Sequence, residues 1–215
     1  HPAFTIKFVG DSSLNIGKRE LFTLPLVLSL CILWICYPGF MSYDSIRMLE
    51  EARSTVRGGI YPAAPVYILR LFDISGHGHT VMLQVQNVIL LFSIVLILRM
   101  LGASLFASAV ALLALALSPT VIGCMLVLWK DVTVTSLIML SIAIILWANQ
   151  ANDKRTAFYQ VAKWSSLILL FLGTLVRFNA ITSTVIIAVY WIIVFYRTQG
   201  WKVTGTTFIL IVLCM

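Results

Sequence analysis

Between Val81 and Leu98 no side chain carries a charge, and apolar residues do not alternate with polar ones along the run. Comparable tracts recur at 20–37, 103–123, 131–147 and 164–196. In hydrocarbon each unpaired backbone group costs several kcal/mol, which leaves helices and closed barrels as spanning structures. A barrel would show segments alternating apolar and polar over about ten positions. These tracts do not alternate, so they are helices. Only 11% of residues are charged, where a soluble domain carries about 25%. Most of the chain therefore faces lipid or other parts of itself, and no nucleic-acid partner is expected.

Dividing the tracts gives transmembrane helices at Glu20–Tyr37, Thr80–Met100, Ala103 to about Gly123, and Asp131–Trp147. The tract from Trp164 to Tyr196 is too long for one span, since at about 1.5 Å per residue it would reach about 50 Å. It also holds Arg177, Asn179 and Thr182 near its middle, and a charge at the bilayer centre costs at least ~2.5–3.5 kcal/mol. Two helices, 162–176 and 180–196, reversing at Arg177, remove that cost. A seventh begins near Val203 and breaks off at Met215, short of the ~20 residues a span needs. The expectation is an all-α, polytopic transmembrane helix bundle of about six spans plus a truncated seventh. Residues 1–19 form a cytoplasmic lead-in and 20–215 the membrane domain, with both ends cut from a longer protein. No cleavable signal peptide is evident, although Leu21 to Tyr37 suits an uncleaved anchor.

With the N-terminus in the cytoplasm, the inner ends hold Lys7, Lys18, Arg19, Arg99, Lys154, Arg155, Lys163, Arg197 and Lys202. The outer ends hold Arg47, Arg53, Arg57, Arg70, Lys130 and Arg177. The excess lies inside, as positive-inside sorting requires. Asp44, Glu50, Glu51, Asp73 and Asp131 share the outer face with its six cations. That mixed-sign cluster is the candidate site.

The longest polar stretch is the first outer loop, 38–79. Pro38-Gly39 ends the first helix, and Ser45 to Arg57 reads as a surface helix in the membrane interface. Its apolar stripe is Ile46, Leu49, Ala52 and Val56. After Gly58-Gly59 and Pro62, a shorter apolar helix from Val66 to Phe72 packs beside the bundle. Three constellations carry chemistry: Asp44 in Ser42-Tyr43-Asp44-Ser45, the pair Lys130-Asp131, and Arg177 in Arg177-Phe178-Asn179-Ala180. Each has a plain alternative: Asp44 and Asp131 as helix N-caps, Lys130 snorkelling to the interface, Arg177 capping a helix C-terminus. His77 and His79 lack an obvious third ligand. The cysteines Cys31, Cys36, Cys124 and Cys214 sit in apolar surroundings without metal spacing. No metal or other cofactor is indicated, though a divalent metal stays open.

Read together, Pro38-Gly39-Phe40-Met41-Ser42-Tyr43-Asp44-Ser45, Lys130-Asp131 and Arg177-Phe178-Asn179-Ala180 resemble bacterial members of the GT-C superfamily of membrane glycosyltransferases. Protein O-mannosyltransferases and lipid A aminoarabinose transferases belong to that class. The resemblance covers most of the chain in topology and few residues in sequence. It lacks an Asp-Glu pair at 44–45 and any D-x-D. It implies a plasma-membrane enzyme taking sugar from a polyprenyl-phosphate donor to a lipid or polymer acceptor on the outer face. Asp44 and Asp131 would be catalytic, while Lys130, Arg177, Arg57 and Arg70 would hold the lipid phosphate. A transporter or lipid flippase and a non-enzymatic membrane subunit are the alternatives. Ser118-Pro119 and Gly123 as helix breaks would suit the first of these.

Overall fold

The structure, a computed structural model, describes residues 18–54, 61–151 and 156–196. Its helices are α1 (Lys18–Cys36), α2 (Tyr43–Arg53), α3 (Ala63–Phe72), α4 (Gly78–Met100) and α5 (Leu105–Leu117). α6 (Pro119–Leu126), α7 (Lys130–Gln150), α8 (Ala157–Val176) and α9 (Ile181–Tyr196) follow. One short parallel pair, β1 (Phe40–Met41) with β2 (Val127–Leu128), joins distant parts of the chain.

The all-α expectation holds, but the number of spans is corrected downward. Four stretches are long and apolar enough to cross a membrane: α4, α7, α8 and Phe178–Phe195. α5 and α6 make a fifth if the pair counts as one span. The apolar part of α1, Phe22–Cys36, is short against a hydrocarbon core of about 30 Å. The expected seventh helix from Val203 lies outside the described residues.

The tract read as one helix from Ala103 to Gly123 is broken, and α6 leaves α5 at 78°. Ser118 is extended, and Pro119 takes the first position of α6, where its missing N–H costs nothing. Gly123 stays inside α6 and breaks nothing. Polar side chains of α4 hold the other end of α6, where it gives way to β2. Asn87 Nδ2 donates to the Met125 carbonyl at 2.7 Å and Gln86 Nε2 to that of Val127 at 3.4 Å. Thr133 of α7 in turn donates to Gln86 Oε1 at 2.9 Å.

Apolar helices gain little from leaving lipid for one another, so close approach of backbones and interhelical hydrogen bonds hold them. α7 and α8 meet through small residues accordingly. Ser141 Oγ donates to the Ser166 carbonyl at 2.8 Å, and a Cβ on Gly173 would lie 3.4 Å from Ile138. Trp191 of α9, fully buried, donates its indole N–H to Ser166 Oγ at 2.9 Å.

α2 and α3 close one end of this bundle. α2 buries Ser45, Met48 and Ala52, with Met48 and Ala52 packed with Leu69, Met82, Leu83 and Leu128. This corrects the expected stripe: Ile46 is exposed and Leu49 only half-buried, because the helix lies on protein with its other face outward. Val56 is outside the described residues. The short helix expected at Val66–Phe72 is present as α3, its Leu69 fully buried. The opposite end holds the α4–α5 turn and the end of α7, linked by Gln150 Nε2 to the Met100 carbonyl at 3.5 Å. There Arg99 is buried and donates to the Ala103 carbonyl at 2.7 Å, while Lys163 lies 5.2 Å from the Trp164 ring.

Candidate functional site

The site is built where β1 meets β2. Just past α1, the Gly39 N–H donates to the Cys36 carbonyl at 2.7 Å. Gly39 has φ +93°, and a Cβ there would run into Leu83, so both backbone and space require glycine. Phe40 and Met41 then register with Val127 and Leu128. Ser42 caps α2, accepting the Ser45 N–H at 3.2 Å, and Ser45 Oγ donates to the Leu128 carbonyl. The start of α2 is thereby fixed beside the start of α7.

Asp44 and Lys130 face each other as a result. Lys130 Nζ donates to Asp44 Oδ2 at 3.1 Å. The Tyr61 hydroxyl donates to the other oxygen, Oδ1, at 3.3 Å, and the Lys130 ammonium stands 5.3 Å from the Tyr61 ring centroid. Asp131, the next residue along α7, pairs with Nη1 of Arg177. Arg177 ends α8, its backbone N–H reaching the Gly173 carbonyl at 3.3 Å. The N-cap readings of both aspartates are corrected: the caps are Ser42 and Trp129. Asp44 and Asp131 sit inside the first turns instead, where helix dipoles favour negative charge.

Asp44, Lys130 and Asp131 border a cavity of about 300 Å³, whose walls also include Tyr43, Tyr61 and Trp129. The Lys130 side chain is 26% exposed and Asp44 54%, so water reaches their ion pair. Partial burial, and then the Asp44 charge, raise the Tyr61 phenol above its ordinary pKa. It keeps its proton around neutrality and stays a donor to the carboxylate. Tyr61 is a member that sequence reasoning missed. It stands seventeen positions from Asp44, and no periodicity relates a tyrosine and a carboxylate at that distance along a chain.

Two expected members do not join. Arg70 lies exposed on α3 and forms no ion pair among the described residues. Arg57 lies outside the described residues. Arg53 works elsewhere, where its guanidinium holds Asp73 through Nε to Oδ2 at 2.5 Å and Nη2 to Oδ1 at 3.0 Å. The Gly78 N–H also donates to Asp73, at 2.9 Å. These donors, Arg53 foremost, hold the Asp73 carboxyl below its usual pKa. His79 contacts the Thr80 hydroxyl at 3.3 Å. No three His, Cys, Asp or Glu side chains are placed to hold a metal ion among the described residues.

No known protein family, curated protein or solved structure matches the chain. The chemistry of the cavity rests on its own residues. One carboxylate with a hydroxyl donor beside it can accept a proton. Two cations at the same end of the bundle can hold a phosphate or another anion. The faces of Tyr61 and Trp129 offer flat apolar walls.

Proposed function

We propose that this chain is part of a membrane glycosyltransferase that moves a sugar from a polyprenyl-phosphate donor to an acceptor on the outer face of the plasma membrane. The observation that carries the reading is the meeting of Asp44, Lys130 and Asp131 around one cavity at one end of an apolar bundle, with Arg177 paired to Asp131. Four separate parts of the chain supply these groups and Tyr61, and the β1–β2 pair and the Ser45 bond register two of them.

In this reading Asp44 takes the proton from the acceptor hydroxyl as its oxygen attacks the anomeric carbon. The bond from that carbon to the phosphate oxygen breaks on the opposite face, inverting the centre. Lys130 and Arg177 stabilise the negative charge left on the lipid phosphate. Asp131 aims Arg177, and Tyr61 aims Asp44. The apolar sugar faces pack on Tyr61 and Trp129. The N-terminus lies in the cytoplasm, so the cavity faces outward.

The test is transfer of labelled sugar from a panel of polyprenyl-phosphate donors by the full-length protein in native membranes, wild type against Asp44→Asn. Transfer falls by about 10²–10⁴-fold, the contribution of a positioned base, with expression and donor binding retained. Equal transfer by the variant, or none by wild type across the panel, removes the reading.

A second reading, lipid transport, is favoured by the 78° break between α5 and α6 and by buried Gln86 and Asn87 of α4, which bond the end of α6 and β2. Transporters place polar groups at broken helices near the midplane. Movement of polyprenyl phosphate between vesicle leaflets without sugar transfer selects this reading over the first.

A further inference from the structure

We infer that Asp44 and Asp131 hold the places of an anionic ligand, and that a phosphate enters by exchanging with them for Lys130 and Arg177. The inference rests on the reading of the cavity as the binding place of a phosphate-linked donor. It adds how the site receives that donor and what state it holds beforehand.

Lys130 and Arg177 are both already neutralised, Lys130 by Asp44 and Arg177 by Asp131. The four charges sum to zero, so the resting site presents no net attraction to a phosphate. A phosphate placed beside the intact pairs would sit against two carboxylates and be repelled. It binds only where the cations turn from the carboxylates toward it.

The geometry permits that turn. The Lys130 and Asp44 side chains are 26% and 54% exposed, and Arg177 and Asp131 are 40% and 49% exposed. Water screens both pairs, so they are loosely held and easily parted. Lys130 is also the more mobile partner, an ammonium on a flexible four-carbon stem. Its Nζ already stands over the Tyr61 ring, which supports the cation off the carboxylate. Asp44 keeps a partner when Lys130 departs, since Tyr61 donates to the other oxygen. One ligand therefore both fills the site and uncovers Oδ2 of Asp44. The carboxylate is engaged while the site is empty and free when a phosphate is present.

Competition has a sign that an ordinary structural pair lacks. Removing the carboxylate charge should strengthen anion binding, although it abolishes any base. The probe is a sugar-free polyprenyl phosphate, with binding measured on the full-length protein in nanodiscs. Asp44→Asn is expected to bind it about two- to fivefold tighter than wild type, the factor corresponding to an exposed ion pair. Lys130→Gln is expected to bind it more weakly, and adding Asp44→Asn to Lys130→Gln changes nothing further. Asp131→Asn frees Arg177 and is expected to tighten binding likewise, which keeps the test decisive if Asp44→Asn does not fold. If wild type binds the probe and Lys130→Gln weakens it, yet neither carboxylate variant tightens it, the exchange is wrong and the donor-site reading stands. If wild type does not bind the probe at all, the donor-site reading fails and the exchange with it.

Discussion

At the scale of single residues, carboxylates at one end of the molecule divide into two kinds. Asp44 and Asp131 are half-exposed, each with a single cation. Asp73 is 8% exposed at its side chain and receives Arg53 and the Gly78 N–H together. It ties the end of α2 to the start of α4. Because its folded pKa lies below the unfolded value of about 3.9, its contribution is complete above that value. It is lost as pH falls through the lower, folded value, where the carboxyl takes up its proton. Thermal unfolding in detergent should therefore shift downward as pH drops below about 4. Asp73→Asn should unfold at a lower temperature than wild type at pH 7 and show a smaller further drop on acidification. An identical pH dependence in the two proteins would remove this account. From the sequence Asp73 was legible as an outer acid, but not as the acceptor of Arg53. The two are twenty positions apart, with no periodicity that relates them.

At the scale of elements, what could be read was whatever apolar length dictates. α4, α7, α8 and α9 lie close to their expected bounds, because an uncharged run has no alternative to a helix in lipid. The break at Ser118 was legible as a possibility and not as a fact. Pro119 can begin a helix as well as end one, and the outcome depends on partners elsewhere for the freed carbonyls. The donors that hold the far end of α6, Gln86 and Asn87, likewise stand within an apolar tract and leave its hydropathy high. The β1–β2 pair was invisible for a related reason: two residues on each side are too few for a period-two pattern. The face of α2 differs from expectation because a stripe of Ile and Leu suggests the buried side, while the helix packs through Met48, Ala52 and small Ser45. Removing one of these donors should register at the junction of α6 and β2. Asn87→Leu keeps the volume and apolar character of α4 but leaves the Met125 carbonyl without its donor. The cost is about 1–3 kcal/mol, the desolvation of a buried unpaired group. A lower unfolding temperature should be accompanied by weaker protection of β2 amides from hydrogen exchange. If stability and protection are unchanged, α6 is held by packing alone.

At the scale of the whole molecule, the division between the two ends decides what the cavity can meet. The cavity end gathers Asp44, Lys130, Asp131 and Arg177, together with exposed Trp34, Tyr37, Phe40, Tyr43, Trp129 and Phe178. Trp and Tyr rings are enriched at the level of lipid headgroups, and the proposed function sets the cavity mouth at that level rather than in the hydrocarbon. The sequence already separated the two ends by alternation of helices, although it did not reveal which groups at one end touch. The outward orientation belongs to the proposed function, and it can be measured. In a background with the native cysteines replaced, Glu50→Cys on exposed α2 and Asn149→Cys near the end of α7 report opposite ends. A membrane-impermeant maleimide applied to intact cells should label Glu50→Cys and leave Asn149→Cys unlabelled until the cells are permeabilised. The reverse pattern would turn the cavity toward the cytoplasm and exclude a donor delivered on the outer face. Labelling of both from outside would mean that the chain does not divide across the membrane as α4 and α7 require.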